Sequence, residues 1–456
     1  MKLAILGYGA EGKSVEQYFK THPYENVAPE DIEIKIFDNF TDAEIDSLGL
    51  ENYDVVFRSP SVPPHYDFRK FSDENHGLSD EKSYKTTFKK PYWTSATKYF
   101  FEHCPCEIIA VSGTKGKGTT CSMITALINS INASAYADQT DAPKTYLVGN
   151  IGIPPLDVLD KIREHDNVVF EISSFQLWDL HQGSSVGVLL RIEPDHLNVH
   201  KDFEEYTFAK SAISRYKTEN DFLVYFAKNE TTKALAAKTA AHKLAYPIKS
   251  ESPKLKELLS SLNIPGEHNR ENAEAALLAV AARFFNGNLE QMLESELYPS
   301  LKDGLASFQG LPHRCQFLRE LNHVRYYDDN YSSALPAMDV ALKAFEKYPT
   351  VLIAGGFSKG TDAEVKARIF SAKNLEKAIL IGSTKEILAK DENPEKYELA
   401  DSLDDAIRKA RAAAEKVASA DHPAIVLMSP GFASFDMFKN FTDRGEKFTK
   451  KVMELK

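Results

Sequence analysis

Short runs of branched apolar residues, each breaking into a turn that carries glycine or aspartate, recur from one end of the chain to the other. The first is KLAILGYG, followed by IEIKIFD and YDVVFRSPSVPP. Later come CEIIAVSGTKGKG, NVVFEISS, VGVLLRIEPDH, VRYYDDN, TVLIAGGFSKGTD, AILIGS and AIVLMSPGFAS. Runs of this length and composition predict buried strands. Between them lie stretches with helical spacing, among them KSVEQYFKTH after the first strand and NRENAEAALLAVAARFF at 269–285. Strand and helix alternating in this way predict an α/β protein built on parallel sheets. Residues 70–90 are polar, aperiodic and mixed in charge, and predict a long surface loop. Breaks near residue 100 and at GLPHR divide the chain into three expected domains, 1–100, 101–310 and 311–456.

Composition sharpens this picture only a little. A chain of 456 residues exceeds one ordinary core. Its 43% hydrophobic and 27% charged content is that of a soluble globular protein. A net charge of −11 argues against a general nucleic-acid partner. No apolar run approaches the roughly 20 residues that span a bilayer, so no membrane partner is expected. The first strand is too short for a signal-peptide core. Cys104, Cys106, Cys121 and Cys315 have no zinc-ligand spacing, and Cys104-Pro105-Cys106 is shorter than a C-x-x-C redox motif, so four free thiols in a cytoplasmic protein are expected.

The chemistry gathers at two glycine-rich loops. In KLAILGYGAEGKS, Gly7 is followed by Gly12, Lys13 and Ser14 in a phosphate-loop pattern, while Gly7, Gly9 and Gly12 also satisfy the dinucleotide frame. In IIAVSGTKGKGTT, a strand runs through Gly113, Gly116 and Gly118 into an apolar helix. Glycines there let backbone N–H groups turn toward an anion that the helix N-terminus also favours. Lys117 would reach terminal phosphates, and Thr119 or Thr120 could offer a hydroxyl to Mg²⁺. Glu171 at the end of one apolar strand is a candidate Mg²⁺ ligand, and another strand delivers Glu193, Asp195 and His196 to one turn. Lys210, taken alone, reads as a solvated lysine.

GTKGKGTT, GNIGIP, FEISSFQL, EPDHLNVH, YTFAKSAI, GEHNRENAEAAL, LPHR and SPGFASFDMFKNFTDRG occur in the order found in the Mur ligases, and over nearly the whole chain the sequence resembles that family. The resemblance implies a Rossmann-like N-terminal domain for a UDP-linked substrate, a central P-loop-type ATPase domain and a Rossmann-like C-terminal domain for the incoming amino acid. It implies an ATP-dependent ligase, most like the branch that takes UDP-N-acetylmuramoyl-L-alanine and D-glutamate, acting as a monomer. ATP would lie on Gly113, Thr114, Lys115, Gly116, Lys117, Gly118, Thr119 and Thr120, with Asn269, Asn272, Arg314 and Asp329. Lys117, Glu171, His196 and Lys210 would be catalytic. Mg²⁺ would be held by Thr119, Glu171, His196 and a carbamylated Lys210. The loop of Gly7, Gly9, Ala10, Glu11 and Gly12, with Asp38, Ser59, Asn150, Ser173, Gln176 and His196, would hold the UDP substrate, so that the Lys13-Ser14 match to a phosphate loop is coincidental. Ser333, Lys359, Ser434 and Phe441 would receive glutamate.

Three departures stand out. Lys115 and Gly118 replace an asparagine and a serine of the ATP loop, a variant closer to folylpolyglutamate synthetases, which lack the first domain. Tyr331, in DNYSSA, replaces a lysine near the phosphates. Asn39 and Phe40 replace a threonine–arginine pair after Asp38. A related ligase with another acceptor or with L-glutamate, and a non-catalytic UDP-sugar-binding homologue, are the alternatives; a dehydrogenase built on the first loop leaves the other two domains without a purpose. Since a phenol carries no charge at neutral pH, Lys115 is the residue that could replace the missing cation. Lys115→Ala is therefore expected to reduce phosphate transfer strongly in a phosphate-release assay, and near-normal turnover would refute that compensation.

Overall fold

A computed structural model describes residues 1–63, 91–137, 139–358, 360 and 362–456. The expected 70–90 surface loop and Lys359 lie outside the described residues. The chain divides into two compact units, the first of Met1–Leu258 with Glu271–Gly304 and the second of Leu259–Arg270 with Leu305–Lys456.

The first unit holds two parallel sheets. Strands β1 (Lys2–Leu6), β2 (Glu33–Phe37), β3 (Val55–Arg58) and β4 (Tyr92–Thr94) pair in the order β2-β1-β3-β4. Strands β5 (Ile108–Ser112), β6 (Thr145–Gly149), β7 (Asn167–Glu171), β8 (Val186–Leu189), β9 (Phe222–Phe226) and β10 (His242–Tyr246) pair in the order β10-β9-β8-β5-β7-β6. β5 is wholly buried between β8 and β7, which explains its uninterrupted apolar run, IIAVS. The two sheets share one core. Helix Ala96–His103 joins them, with Tyr99 packed on Phe57 at 5.9 Å between ring centroids and Phe100 on Phe170 at 5.5 Å. Each fully buried ring contributes about 1.5–3 kcal/mol through burial.

A charge crosses the same seam. Arg58 ends β3 with its side chain fully buried, and its Nε donates to Asp179 Oδ2 at 2.8 Å. Its guanidinium also donates to the second Asp179 oxygen, to the Val62 carbonyl at 3.2 Å and to the Phe175 carbonyl at 3.0 Å. The fork geometry of arginine meets the carboxylate at both oxygens, which is what permits a dry ion pair here.

The second unit carries one sheet of β11 (Gln316–Leu321), β12 (Val324–Asp328), β13 (Thr350–Gly355), β14 (Leu375–Ile381), β15 (Tyr397–Leu399) and β16 (Ala424–Met428), ordered β11-β12-β16-β13-β14-β15. All its pairs are parallel except β11 with β12. The sequence reading takes VRYYDDN as the first strand after GLPHR and passes over β11. That strand, QFLREL, has no clean alternation. Its turn is Asn322-His323, both in the left-handed region (φ 53° and 63°), instead of the Asn-Gly that advertises a two-residue hairpin.

Arg58→Met, which leaves Asp179 charged and buried, is expected to lower the unfolding free energy by about 3–5 kcal/mol in urea titrations. A loss below about 1 kcal/mol would mean that water or a neighbouring cation takes over the carboxylate.

Candidate active site

The loop leaving β5 meets helix Lys117–Ala135 at Gly116, whose φ of 89° suits glycine and little else. A Cβ at Gly116 would come within 2.6 Å of Asn272 Oδ1, so an asparagine side chain lies directly against the loop. The Thr114 hydroxyl is committed to structure. It donates to the Glu193 carbonyl (3.0 Å), accepts from Glu193 N–H (2.9 Å) and meets Tyr206 Oη at 2.9 Å. It thereby locks the loop to the Glu193–His196 turn, and the Thr114 N–H adds a bond to the Arg191 carbonyl at 2.8 Å. Lys115 is exposed, Gly118 and Thr119 are half-buried, and Thr120 is fully buried with an Oγ1 that has no hydrogen-bond partner.

Two lysine amines converge on one carbonyl. Lys117 Nζ donates to Gly113 O and Thr114 O, each at 3.1 Å. Lys210 Nζ, at the end of helix Phe203–Lys210, donates to the same Gly113 O at 2.9 Å and to Ser112 Oγ at 3.3 Å. Lys210 is 1% exposed, so it is not the solvated lysine that its sequence context alone suggests. Burial, and then the Lys117 charge, hold its pKa well below the ordinary lysine range, against the opposing pull of Asp195 and Glu171. Glu171, buried at the end of β7, accepts Asn150 Nδ2 at 3.0 Å, and its backbone carbonyl accepts Asn150 N–H at 3.0 Å. His196 instead sits outward on a left-handed residue (φ 54°), 3.7 Å from Asp195 and with its ring 5.0 Å from Phe175. Among the described residues no group of three His, Cys, Asp or Glu side chains is gathered into a metal site.

Residues of the first loop and of the β7–helix junction meet across the shared core. Gln176 Nε2 donates to Glu11 Oε1 at 2.6 Å, while Ser173 N–H donates to Gln176 Oε1 at 2.8 Å. Gly9 caps helix Ala10–Phe19, Ser59 Oγ donates to the Gly7 carbonyl at 2.7 Å, and Tyr8 N–H donates to Asp38 at 3.2 Å. Gly12 lets that helix close onto the Gly7 carbonyl, where any Cβ would collide. The Ser14 hydroxyl points elsewhere, donating to Asp157 at 2.5 Å, so it is not offered to a phosphate of this loop. Glu11 Oε2 is buried without a hydrogen-bond partner. Burial pushes the carboxyl up to about 7, against the Gln176 hydrogen bond and the Arg58 charge.

In the second unit, Asn269 donates to the Pro265 carbonyl at 2.6 Å. Asp329 is buried and accepts from Cys315 N–H (3.1 Å), Ser429 Oγ (2.7 Å) and Ser332 Oγ. Burial raises its pKa to about 6. The Arg314 guanidinium lies 4.0 Å from the Tyr331 ring centroid, and Phe441 packs edge-on to that ring at 5.0 Å. Ser333 is half-buried and Ser434 buried. The sequence reading misses Asn330 and Arg444, both buried, with Arg444 Nε donating to Asn330 Oδ1 at 2.7 Å. A signal was available: Arg444 shares the i, i+4, i+8 stripe of Phe448 and Val452 on helix Phe441–Glu454, where a charge must have a partner.

A family model described as the Mur ligase middle domain matches residues 111–280. The UDP-N-acetylmuramoylalanine–D-glutamate ligase of Clostridium kluyveri is 30% identical, covering 100% of this chain and 97% of its own length. Its counterpart in Clostridium perfringens is 32% identical, covering 88% and 82%. Among solved structures, the UDP-N-acetylmuramoylalanyl-D-glutamyl-2,6-diaminopimelate–D-alanyl-D-alanyl ligase of Acinetobacter baumannii superimposes with a TM-score of 0.52 at 18% identity, covering 79% of this chain and 78% of that one. At that identity the likeness concerns the fold.

Glu11 gives the site a pH dependence of defined sign. Its folded pKa, about 7, lies above the ordinary 4.5, so the folded state holds the proton more tightly. The group's stabilising contribution is complete below the unfolded value and is lost as pH rises through about 7. Glu11→Gln should therefore flatten the decline of the urea midpoint across this window relative to the parent protein. Parallel profiles would show the carboxyl to be solvated.

Proposed function

We propose, given that the chain belongs to the Mur ligase family, that it joins D-glutamate to UDP-N-acetylmuramoyl-L-alanine at the expense of ATP, a step of peptidoglycan precursor synthesis. The likeness to D-glutamate ligases over the full length of the chain carries this reading. The paired lysines at the Gly113 carbonyl give it a chemical basis.

The acceptor's carboxylate attacks the γ-phosphorus of ATP, the bond to ADP breaks, and an acyl phosphate forms. The glutamate amine then attacks the acyl carbon and, after loss of a proton, the tetrahedral intermediate expels phosphate to leave an amide. Most of the acceleration in such a sequence is positioning and electrostatics. The N-terminus of helix Lys117–Ala135 and the loop before it receive the phosphates. Lys117, which rests on two backbone carbonyls, exchanges them for phosphate oxygens and offsets the charge that gathers there. Asn272, against Gly116, helps fix the loop on the nucleotide. In the second unit Arg314 and Asp329 serve the nucleotide, while Ser333, Ser434 and Phe441 serve glutamate. Glu11, Ser173 and Gln176 bind and orient the UDP substrate with Asp38, Ser59 and Asn150.

The residues at Gly113 suit a hard cation. The Glu171 carboxylate, the Thr119 hydroxyl and the orphaned Thr120 hydroxyl offer oxygen. Glu171 and Thr119, with His196 and Lys210, would hold Mg²⁺. A bound Mg²⁺ would supply charge neutralisation on the phosphate oxygens. Lys210 as an amine is the odd donor in this set. Its buried nitrogen, whose pKa burial holds well below the ordinary lysine range, is suited to add carbon dioxide, releasing a proton and becoming a carbamate, an oxygen ligand of the same class as Glu171.

Phosphate release with ATP, Mg²⁺ and UDP-N-acetylmuramoyl-L-alanine is expected only when D-glutamate is added, with L-glutamate inert. Lys210→Met should reduce that release by at least about a hundredfold. Release driven equally by L-glutamate would overturn the specificity, and full activity of Lys210→Met would overturn the carbamate.

A further inference from the structure

The motif departure at Tyr331 has a structural counterpart. Arg314 sits between two non-glycine residues in the left-handed region, His313 (φ 62°) and Cys315 (φ 45°). Such backbone persists only where surrounding contacts impose it. Here they are explicit. His313 Nδ1 meets Asp328 Oδ2 at 2.7 Å, Cys315 N–H donates to Asp329 at 3.1 Å, and Tyr331 N–H donates to the His313 carbonyl at 2.9 Å. The Leu311–Gln316 turn is therefore stitched on both flanks of Arg314 to the Asp328–Tyr331 loop, and the stitching brings the guanidinium to 4.0 Å from the Tyr331 ring centroid. Arg314 is exposed, and among the described residues its side chain has neither an ion pair nor a hydrogen bond. Tyr331, 49% exposed, is also braced by Phe441, whose ring meets it edge-on at 5.0 Å and 73°.

A long side chain anchored in this manner by an aromatic face keeps its five N–H donors, since the contact uses the π-surface and not the guanidinium edge. A lysine at position 331 could not do this: it would repel Arg314 instead of seating it. We infer that Tyr331 is a positioning residue that holds the Arg314 guanidinium, donors free, for the phosphate oxygens of the nucleotide. The substitution thus exchanges one direct cation for better placement of another. This inference rests on the reading of Arg314 as a nucleotide contact.

Steady-state kinetics on the full chain test both layers. Arg314→Ala should raise the KM for ATP about fivefold or more while changing kcat less. Tyr331→Ala should raise it about fivefold, the scale of an exposed cation–π contact. Tyr331→Phe should restore it to within about twofold, because the ring is kept. The double variant Arg314→Ala/Tyr331→Ala should be no worse than Arg314→Ala alone. A normal KM in Tyr331→Ala alongside a raised one in Arg314→Ala would overturn the positioning role. Additive effects in the double variant would overturn it as well. A normal KM in Arg314→Ala would instead remove the nucleotide reading beneath it. Thermal unfolding of each variant separates these outcomes from loss of the fold, and Tyr331→Phe failing to rescue a folded protein would count against the stack.

Discussion

Two amines sharing the Gly113 carbonyl set the terms for the whole first unit. Their nitrogens cannot lie further apart than about 6 Å, a range at which like charges suppress each other's ionisation. One of them lies in a half-buried loop; the other is sealed at 1% exposure, where burial and the neighbouring Lys117 charge hold its pKa well below the ordinary lysine range. Everything adjacent serves that division. β5 is central so that its C-terminal end is dry, Tyr206 roofs Lys210 at 4.8 Å, and the same phenol reaches Thr114 to fix the loop. The asymmetry between the two amines is one of burial.

The second unit solves a different problem, how to present groups without burying charge at a loss. Asp329 is held by three donors, which makes it a brace for the turn that carries Arg314. Arg444, whose pKa burial pulls down to about 10, braces the adjoining Asn330 and the Phe432 carbonyl. The groups left facing outward, Arg314, Tyr331 and Phe441, are those that the buried polar layer supports from behind.

Much of this is legible in the sequence. Strand runs such as IIAVS and NVVFE are buried on both faces, so composition alone exposes them, and glycine spacing marks both loops. The Ser14 hydroxyl of the first loop, by contrast, is spent on Asp157, a contact no local motif announces. What could not be read was state. Nothing in YTFAKSAI tells that Lys210 is dry, because its desolvation comes from Tyr206, Ser112 and Gly113, two of them about a hundred residues away in sequence. Nor does EPDHLNVH disclose that His196 turns outward while Asp195 pulls on Lys210. Polar layers assembled from distant segments, like Asn330 with Arg444, are silent in any window shorter than the fold.

The buried bond between Arg58 and Asp179 has a consequence for how such a chain can change. Its partners are 121 positions apart, one in the four-stranded sheet and one beside the six-stranded sheet. The N-terminal sheet has the outline of a portable module, but it is not free to be swapped. Any exchange that brings a new residue to position 58 strands a carboxylate in a dry seam, and any exchange at 179 strands a guanidinium. Shuffled descendants would survive only where both halves are inherited together, so the two sheets form a single heritable block.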